Sequence, residues 1–227
     1  MASFNTHLAT AALAGCCVAA VGYHAAQFTL PDAVSVAGLM ALGGIMPDID
    51  ADRSQTVRLV FTVLAVGAVI ATVMSALPYV TTSGLILLAL SSFLLTRYVA
   101  SAFFRRLTVH RGIWHSLLAS ITVGIAVTAA SARLFDSSPW LAWLRGCAVL
   151  VGYVIHLLLD ELWSIDVAGL RMKSSFGTAL KPLNVQAPQT ALPMVATIVI
   201  CHQWLPPITA LWGVLGAVWQ VCCHKVL

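Results

Sequence analysis

The stretch His110-Arg-Gly-Ile-Trp-His-Ser116 places two histidines, an arginine and a serine inside a chain that is otherwise almost entirely apolar. The chain has 227 residues, of which 60% are hydrophobic and 9% are charged, whereas about 25% of the residues in a typical soluble domain are charged. This composition indicates an integral membrane protein. Since ionisable groups at membrane depth are costly and rare, we expect the polar groups of this stretch to be functional.

Apolar segments on either side of this stretch predict an all-α integral membrane protein, a bundle of about seven to eight helices. The predicted helices cover residues 6–27, 33–46, 57–77, 82–104, 110–134, 139–163, 188–204 and 208–223. The second is shorter than the ~20 residues that cross a bilayer, so it is tilted, packed within the bundle or ended at a recessed site. We assign one helical membrane domain to residues 1–227, with a motif-bearing core at 1–165, a polar loop at 164–187 and a C-terminal helical hairpin at 188–227.

The distribution of Lys and Arg predicts the orientation of the bundle. If each of the eight segments crosses the membrane, ten of the 12 Lys and Arg residues lie on the side of the N-terminus, and only Arg133 and Arg145 lie on the other. Basic residues are enriched in cytoplasmic loops, so we expect a cytoplasmic N-terminus. The same alternation brings seven polar residues to one cytoplasmic site: His7, Asp48, Asp50, His110, His115, His156 and Asp160.

One helix of the predicted bundle carries a histidine and an aspartate on the same face. His156 and Asp160 are four residues apart in the segment Gly152-Tyr-Val-Ile-His-Leu-Leu-Leu-Asp160, which is the spacing of neighbours on a helix surface. The pair is near enough to hold one metal ion. A His–Asp hydrogen bond without metal and a proton relay are the alternatives.

Three aspartates alternate in the segment that follows Pro47, at positions 48, 50 and 52. Carboxylates in a short loop suit divalent cations and are able to bridge two of them. The alternative is a solvated acidic turn. We include Asp48 and Asp50 in the site, because the loop abuts an apolar helix with two glycines, and we interpret Asp52 as a solvated neighbour.

The opening stretch adds His110, Arg111 and His115 to the predicted site. We expect His110 near the N-cap of a helix, with Arg111 and His115 on one face because they are four residues apart. Imidazole is a ligand of zinc, iron, manganese and nickel. The start of this helix would offer partial positive charge and amide groups to an anion, and Arg111 would clamp a phosphate or orient a carboxylate. A topological charge is the alternative role of Arg111.

We assign no catalytic or metal-binding role of their own to the remaining histidines, the cysteines or the first helix. His7 joins the site only through the predicted topology, and we interpret His24, His202 and His224 as structural. The six cysteines include no CxxC pair, so we expect small apolar core residues rather than disulfides. The sequence contains no basic run with interleaved aromatics, so it gives no indication of nucleic-acid binding. Because the first basic residue is Arg53, we expect a retained first helix rather than a signal peptide.

Four separated motifs share one chain: Thr6-His-Leu8, Met46-Pro-Asp-Ile-Asp50, residues 110–116, and Gly152-Tyr-Val-Ile-His156 through Asp160. Their order and spacing resemble the LexA-regulated, inner-membrane metal-dependent hydrolase family. The resemblance implies a helical inner-membrane protein of a bacterium or archaeon, with a divalent-metal site and a distant likeness to zinc-dependent phospholipases C. It implies metal ligation by His7, Asp48, Asp50, His110, His115, His156 and Asp160. Trp114 departs from the small hydroxyl residue that is common in the family, and the segment after Asp160 lacks the proline that many members have.

We therefore expect a membrane-bound hydrolase that uses one or two divalent ions, zinc or manganese, to activate water for attack on a phosphoester or lipid-like substrate. Its expected partners are membrane lipid and an amphiphilic phosphoester. Catalytic roles are expected for Asp50 as general base or metal bridge, for Arg111 as a stabiliser of phosphoryl charge, and for His115.

Two other classes of function remain open at this point. One is a metal-ion or proton transporter or channel, which would distribute polar residues through the membrane thickness rather than at one end of the helices. The other is a non-catalytic membrane protein with a structural metal. A closed structural zinc site has four ligands, and the sequence offers seven candidates, which favours a catalytic or two-metal site.

Overall fold

A computed structural model describes residues 3–25, 27–50, 55–107, 114–166, 171–172, 180–183 and 188–224. The helices are α1 (Phe4–His24), α2 (Leu30–Gly43), α3 (Gln55–Ala76), α4 (Thr82–Leu94), α5 (Ser101–Leu107), α6 (Leu117–Arg133), α7 (Pro139–Leu162), α8 (Leu192–His202) and α9 (Ile208–His224). Short 3-10 helices cover Met46–Asp50 and Pro188–Ala191, and a π-helical turn, Leu95–Ala100, joins α4 to α5. The all-α prediction is confirmed. The polar loop adds a two-residue antiparallel ladder between β1 (Ile165–Asp166) and β2 (Arg171–Met172).

Four helical segments of the described chain are long and apolar enough to cross a membrane. They are α1, α3, the continuous rod Thr82–Arg106 and α7. The rod presents large apolar side chains to its surroundings, including Leu87 and Leu94. Such surfaces are stable when lipid rather than water covers them.

The chain forms two compact units. The larger unit comprises Met1–Pro47 and Ile113–Leu227, and the smaller unit comprises Asp48–Gly112. The assignment of one domain to residues 1–227 stays a prediction.

The smaller unit is built on a hairpin of α3 with α4 and α5. The rings of Phe61 and Phe104 meet edge to face, with centroids 5.6 Å apart. Between α3 and α4, the Thr72 hydroxyl donates a hydrogen bond to Ser92 Oγ at 3.2 Å. No described residue of α4 is buried, so this helix relies on few protein contacts.

In the larger unit, α2 and α7 approach until their backbones touch. A Cβ atom at Gly43 would lie 2.2 Å from the Val149 carbonyl oxygen, and one at Gly152 would lie 2.0 Å from the Met40 carbonyl oxygen. Small residues permit this distance between helices in a membrane, where dispersion and polar contacts drive association. The crossing brings the C-terminal end of α2 against the middle of α7.

The prediction that the second helix is short is confirmed, and α2 packs within the larger unit. Thr29 and Asp32 form a capping box that starts it, which satisfies its first amide groups. Near this end, Arg145 of α7 bonds to Ser35 Oγ at 3.1 Å and lies 3.7 Å from the Asp32 carboxylate. These contacts and the glycine crossing fix both ends of α2 on α7.

The predicted start of the sixth helix at His110 is wrong, because α6 begins at Leu117. Ser116 has extended φ and ψ angles of −150° and 158° and is the N-cap residue. Its hydroxyl oxygen accepts a hydrogen bond from the Ala119 amide at 3.2 Å, which is the geometry that favours serine at this position. Trp114 and His115 therefore lie in the turn before the helix, and His115 does not share a helix face with Arg111.

Candidate metal centre

Three elements of the larger unit bring a carboxylate and three imidazoles together. His7 comes from the first turn of α1, His156 and Asp160 come from the last two turns of α7, and His115 comes from the turn before α6. All four residues are buried. The structure thus brings together four of the seven predicted ligands.

The Asp160 carboxylate is the centre of this cluster. Its Oδ1 lies 3.2 Å from His7 Nε2, and its Oδ2 lies 3.7 Å from His156 Nε2. His115 Nε2 lies 4.0 Å from the same Oδ2. Three ring nitrogens therefore lie within 4.0 Å of one carboxylate.

The two histidines from α1 and α7 stack on each other. The rings of His7 and His156 are 3.6 Å apart between centroids and 13° from parallel. The ring of His115 stands edge-on to His156 at 5.8 Å and 69°.

A hydrogen bond to the backbone orients His156. Its Nδ1 lies 2.7 Å from the carbonyl oxygen of Gly44, which directly follows α2. His7 differs, because its buried Nδ1 meets no hydrogen-bond partner among the described residues. Leaving such a group unsatisfied costs about 1–3 kcal/mol, and the polar contact of this ring is the one from Nε2 to Asp160 Oδ1.

Hydrogen bonds on both sides of His115 stabilise the turn that carries it. The Tyr153 hydroxyl of α7 donates a hydrogen bond to the Trp114 carbonyl oxygen. Ser116 is fully buried and caps α6. Tyr153 lies three residues before His156, so the same turn of α7 holds His115 in place and supplies a second imidazole.

The expected anion site at the start of this helix is contradicted. The amides of Leu117 and Leu118 donate to the carbonyl oxygens of Lys181 and Pro182, both at 3.0 Å. The next two amides donate to Ser116, through its hydroxyl and its carbonyl oxygen. Because all four initial amides of α6 have acceptors from the chain, they are not available to a phosphate.

The other predicted site residues are placed only in part. Asp48 and Asp50 belong to the 3-10 helix Met46–Asp50, where Asp48 is half-buried. His110 and Arg111 lie outside the described residues, as does Asp52. Their membership in the site stays a prediction.

Two of the histidines that we interpreted as structural lie apart from the cluster. His24 and His202 are exposed in the last turns of α1 and α8. They therefore serve as controls for the buried histidines.

The cluster fits a divalent transition metal. His7, His156 and Asp160 each direct one ligand atom into a common space, with these atoms within 4.8 Å of one another. Two ligand atoms at zinc–nitrogen and zinc–oxygen distances in a tetrahedron are about 3.3–3.5 Å apart. The observed separations are 3.2 Å from Asp160 Oδ1 to His7 Nε2 and 3.7 Å from Asp160 Oδ2 to His156 Nε2. Two imidazoles and a carboxylate are a ligand set found in zinc enzymes.

Several contributors to this site were not predicted from the sequence. They are the Gly44 carbonyl group, the Tyr153 hydroxyl, the Ser116 cap and the carbonyl groups of Lys181 and Pro182. Only Ser116 carries a local signal, since serine before an apolar run is typical of an N-cap. Backbone carbonyl groups are present at every residue, so their roles emerge only from tertiary packing.

An all-α chain with four membrane-length helices and a buried His–Asp cluster is a helical membrane protein with a candidate metal centre. The chain belongs to the YdjM inner membrane protein family, which it matches over residues 1–225. The expected location in the inner membrane is therefore confirmed. No curated protein and no solved structure matches the chain. Metal-dependent hydrolysis and LexA regulation stay predictions.

Proposed function

We propose that this protein is a membrane-bound, divalent-metal-dependent hydrolase that acts on a phosphoester or lipid-like substrate. The observation that carries the proposal is the convergence of His7 and His156 on Asp160, at 3.2 and 3.7 Å. Buried ionisable groups in a membrane protein are expensive to maintain and are retained where they function. Zinc or manganese, as one or two ions, suits these ligands.

The ligands would be His7, His156 and Asp160, with His115 beside them. Three protein ligands are typical of catalytic zinc sites, which keep one position for water. A bound ion would supply a water of lowered pKa, able to attack an ester near neutral pH. Asp48, Asp50 and His110 remain candidates for a second ion.

Residues of the chain would transfer protons and stabilise charge during the reaction. Asp50 is the proposed general base or metal bridge, and His115 would contact a bound substrate. Arg111 would stabilise negative charge on phosphoryl oxygens. It would do so without the α6 amides, which are occupied by carbonyl and hydroxyl groups of the chain.

The position of the cluster along the helices favours a site over a transport path. His7 is in the first turn of α1 and Asp160 is in the last turn of α7. A transporter or channel would place such groups through the depth of the membrane. We propose that this end, with the N-terminus, faces the cytoplasm, as the Lys and Arg distribution predicts.

The first test measures metal and activity together. The purified protein would be reloaded with zinc or manganese in detergent, its metal content per chain determined by mass spectrometry, and phosphoester and phospholipid hydrolysis assayed. Asp160→Ala should reduce bound metal to background, and His115→Ala should reduce hydrolysis by at least about 100-fold, as expected for loss of a group at a metal site.

The matched control is His202→Ala, which removes an exposed histidine outside the cluster. It should change neither the bound metal nor the rate of hydrolysis. Unchanged hydrolysis in both Asp160→Ala and His115→Ala would rule out this mechanism. Metal or proton flux in proteoliposomes without hydrolysis would favour transport. Tight metal without hydrolysis or flux would favour a structural ion.

A further inference from the structure

We infer that Gly44 is a positioning residue, whose carbonyl oxygen fixes the tautomer of His156 and directs its Nε2 lone pair toward Asp160. The observation is the 2.7 Å separation between His156 Nδ1 and the Gly44 carbonyl oxygen. The inference deepens the proposed function, because it explains how one ligand of the metal centre is presented.

The tautomer follows from the chemistry of the two partners. A carbonyl oxygen only accepts hydrogen bonds, so Nδ1 of His156 must carry the hydrogen. The neutral ring then has a lone pair on Nε2, the atom 3.7 Å from Asp160 Oδ2. That separation is too long for a hydrogen bond, and it suits two ligands of one cation. A histidine that donates through its other nitrogen is a common arrangement in metal sites, where it fixes ring orientation and raises basicity.

The carbonyl group of Gly44 is available because of where it lies in the chain. Gly44 is the C-cap residue of α2, and the last carbonyl groups of a helix have no intrahelical donor. Three residues later the chain has Pro47, which has no N–H to donate in a 3-10 turn. The sequence Gly44-Ile-Met-Pro47 therefore leaves an acceptor for a side chain from another helix.

Glycine is required because two other helices touch this residue. A Cβ atom at Gly44 would lie 2.2 Å from Ala11 Cβ and 3.2 Å from the His7 carbonyl oxygen, both in α1. On the α7 side, a Cβ atom at Gly152 would lie 3.1 Å from the Gly44 amide nitrogen. One backbone position is thus packed between the helices that carry His7 and His156.

The test reads the tautomer directly in metal-free protein. Histidine labelled with ¹⁵N would be incorporated, and spectra recorded in detergent at mildly alkaline pH, where imidazole is neutral. The His156 signals would be assigned by their loss in His156→Gln. The expected result is protonated Nδ1 and unprotonated Nε2 in the wild-type protein.

Two variants displace the Gly44 peptide from its present packing, one at its contact with α7 and one at its contact with α1. Gly152→Ala places a Cβ atom against Met40 and must separate α2 from α7, and Gly44→Ala separates α2 from α1. Both should produce a mixture of His156 tautomers and weaken zinc binding by about 10–100-fold, the usual effect of losing such an outer hydrogen bond. Gly38→Ala is the matched control in α2, because no atom lies within 4 Å of its added Cβ.

The outcomes separate this inference from the proposed function. A wild-type His156 protonated on Nε2 would overturn the inference, whatever the metal content. An Nδ1–H tautomer that persists in folded Gly152→Ala and Gly44→Ala proteins would do the same. An Nδ1–H tautomer that is lost in these variants supports the positioning role, even in a protein that fails to hydrolyse any ester. If neither variant folds, the wild-type tautomer alone decides.

Discussion

The junction of α1, α2 and α7 and the hairpin of α3 with α4 are both apolar, but they are assembled in different ways. The junction uses glycines at Gly43, Gly44 and Gly152, each so close to a neighbouring helix that a Cβ atom would collide. The hairpin has Gly67 in α3 with no atom within 4 Å of an added Cβ, and its large side chains are exposed. Hydrophobicity alone therefore does not distinguish a helix that builds a site from one that faces lipid.

The difference follows from what each region must hold. Buried imidazoles and a carboxylate need partners, because membrane interiors offer no water to satisfy them. Helices must then approach within hydrogen-bonding distance of each other's backbones, which only small residues allow. A hairpin that presents leucine to acyl chains has no such requirement.

The largest contrast is expected from leucine truncation. Leu157 is fully buried in α7, and Leu87 is 66% exposed in α4. Leu157→Ala should lower the free energy of unfolding by about 2–5 kcal/mol, because a cavity remains. Leu87→Ala should change it by less than about 0.5 kcal/mol, as is usual for surface substitutions. Unfolding by SDS titration in mixed micelles measures both, and equal losses would contradict the comparison.

A smaller contrast is expected from adding one methyl group. Gly43→Ala should cost about 1–3 kcal/mol, because overpacking forces α2 away from α7. Gly67→Ala should be neutral or stabilising by about 0.5–1 kcal/mol, since alanine favours a helix where space is open. The two variants are compared by the same titration. Stabilisation by Gly43→Ala would show that the crossing is looser than its geometry indicates.

The smallest contrast is expected at two helix caps. Ser116→Ala should cost about 1–2 kcal/mol, because the Ala119 amide that it leaves is buried. Thr81→Ala, at the start of α4, should cost about 0.5 kcal/mol, because the Gly84 amide is exposed. Hydrogen exchange at the Ala119 and Gly84 amides measures the loss of each cap locally. Exchange at Ala119 that stays slow in Ser116→Ala would contradict the capping role.

The sequence predicts the helices well, since long apolar segments and prolines such as Pro139 are local signals. It also identifies His156 and Asp160 as one face, through their spacing of four residues, and both lie in the cluster. His7 and His115 were placed by predicted topology, and the structure brings both to Asp160.

The start of α6 and its amide acceptors were missed for a physical reason. Polar residues such as His110 and Arg111 tolerate both a helix start and a turn, so periodicity cannot separate the two. The acceptors for Leu117 and Leu118 come from Lys181 and Pro182, more than 60 residues later in the chain. Backbone groups recruited over such distances leave no pattern in the sequence.

The first amides of α6 already donate to carbonyl groups of the chain, and this affects how a product would be released. Helix starts with free amides retain phosphate well, and a product held in that way leaves slowly. Here the acceptors of Lys181 and Pro182 occupy those amides beside His115. An anionic product of the proposed reaction would be held only by side chains and a metal ion, and its escape would not require the helix to release it.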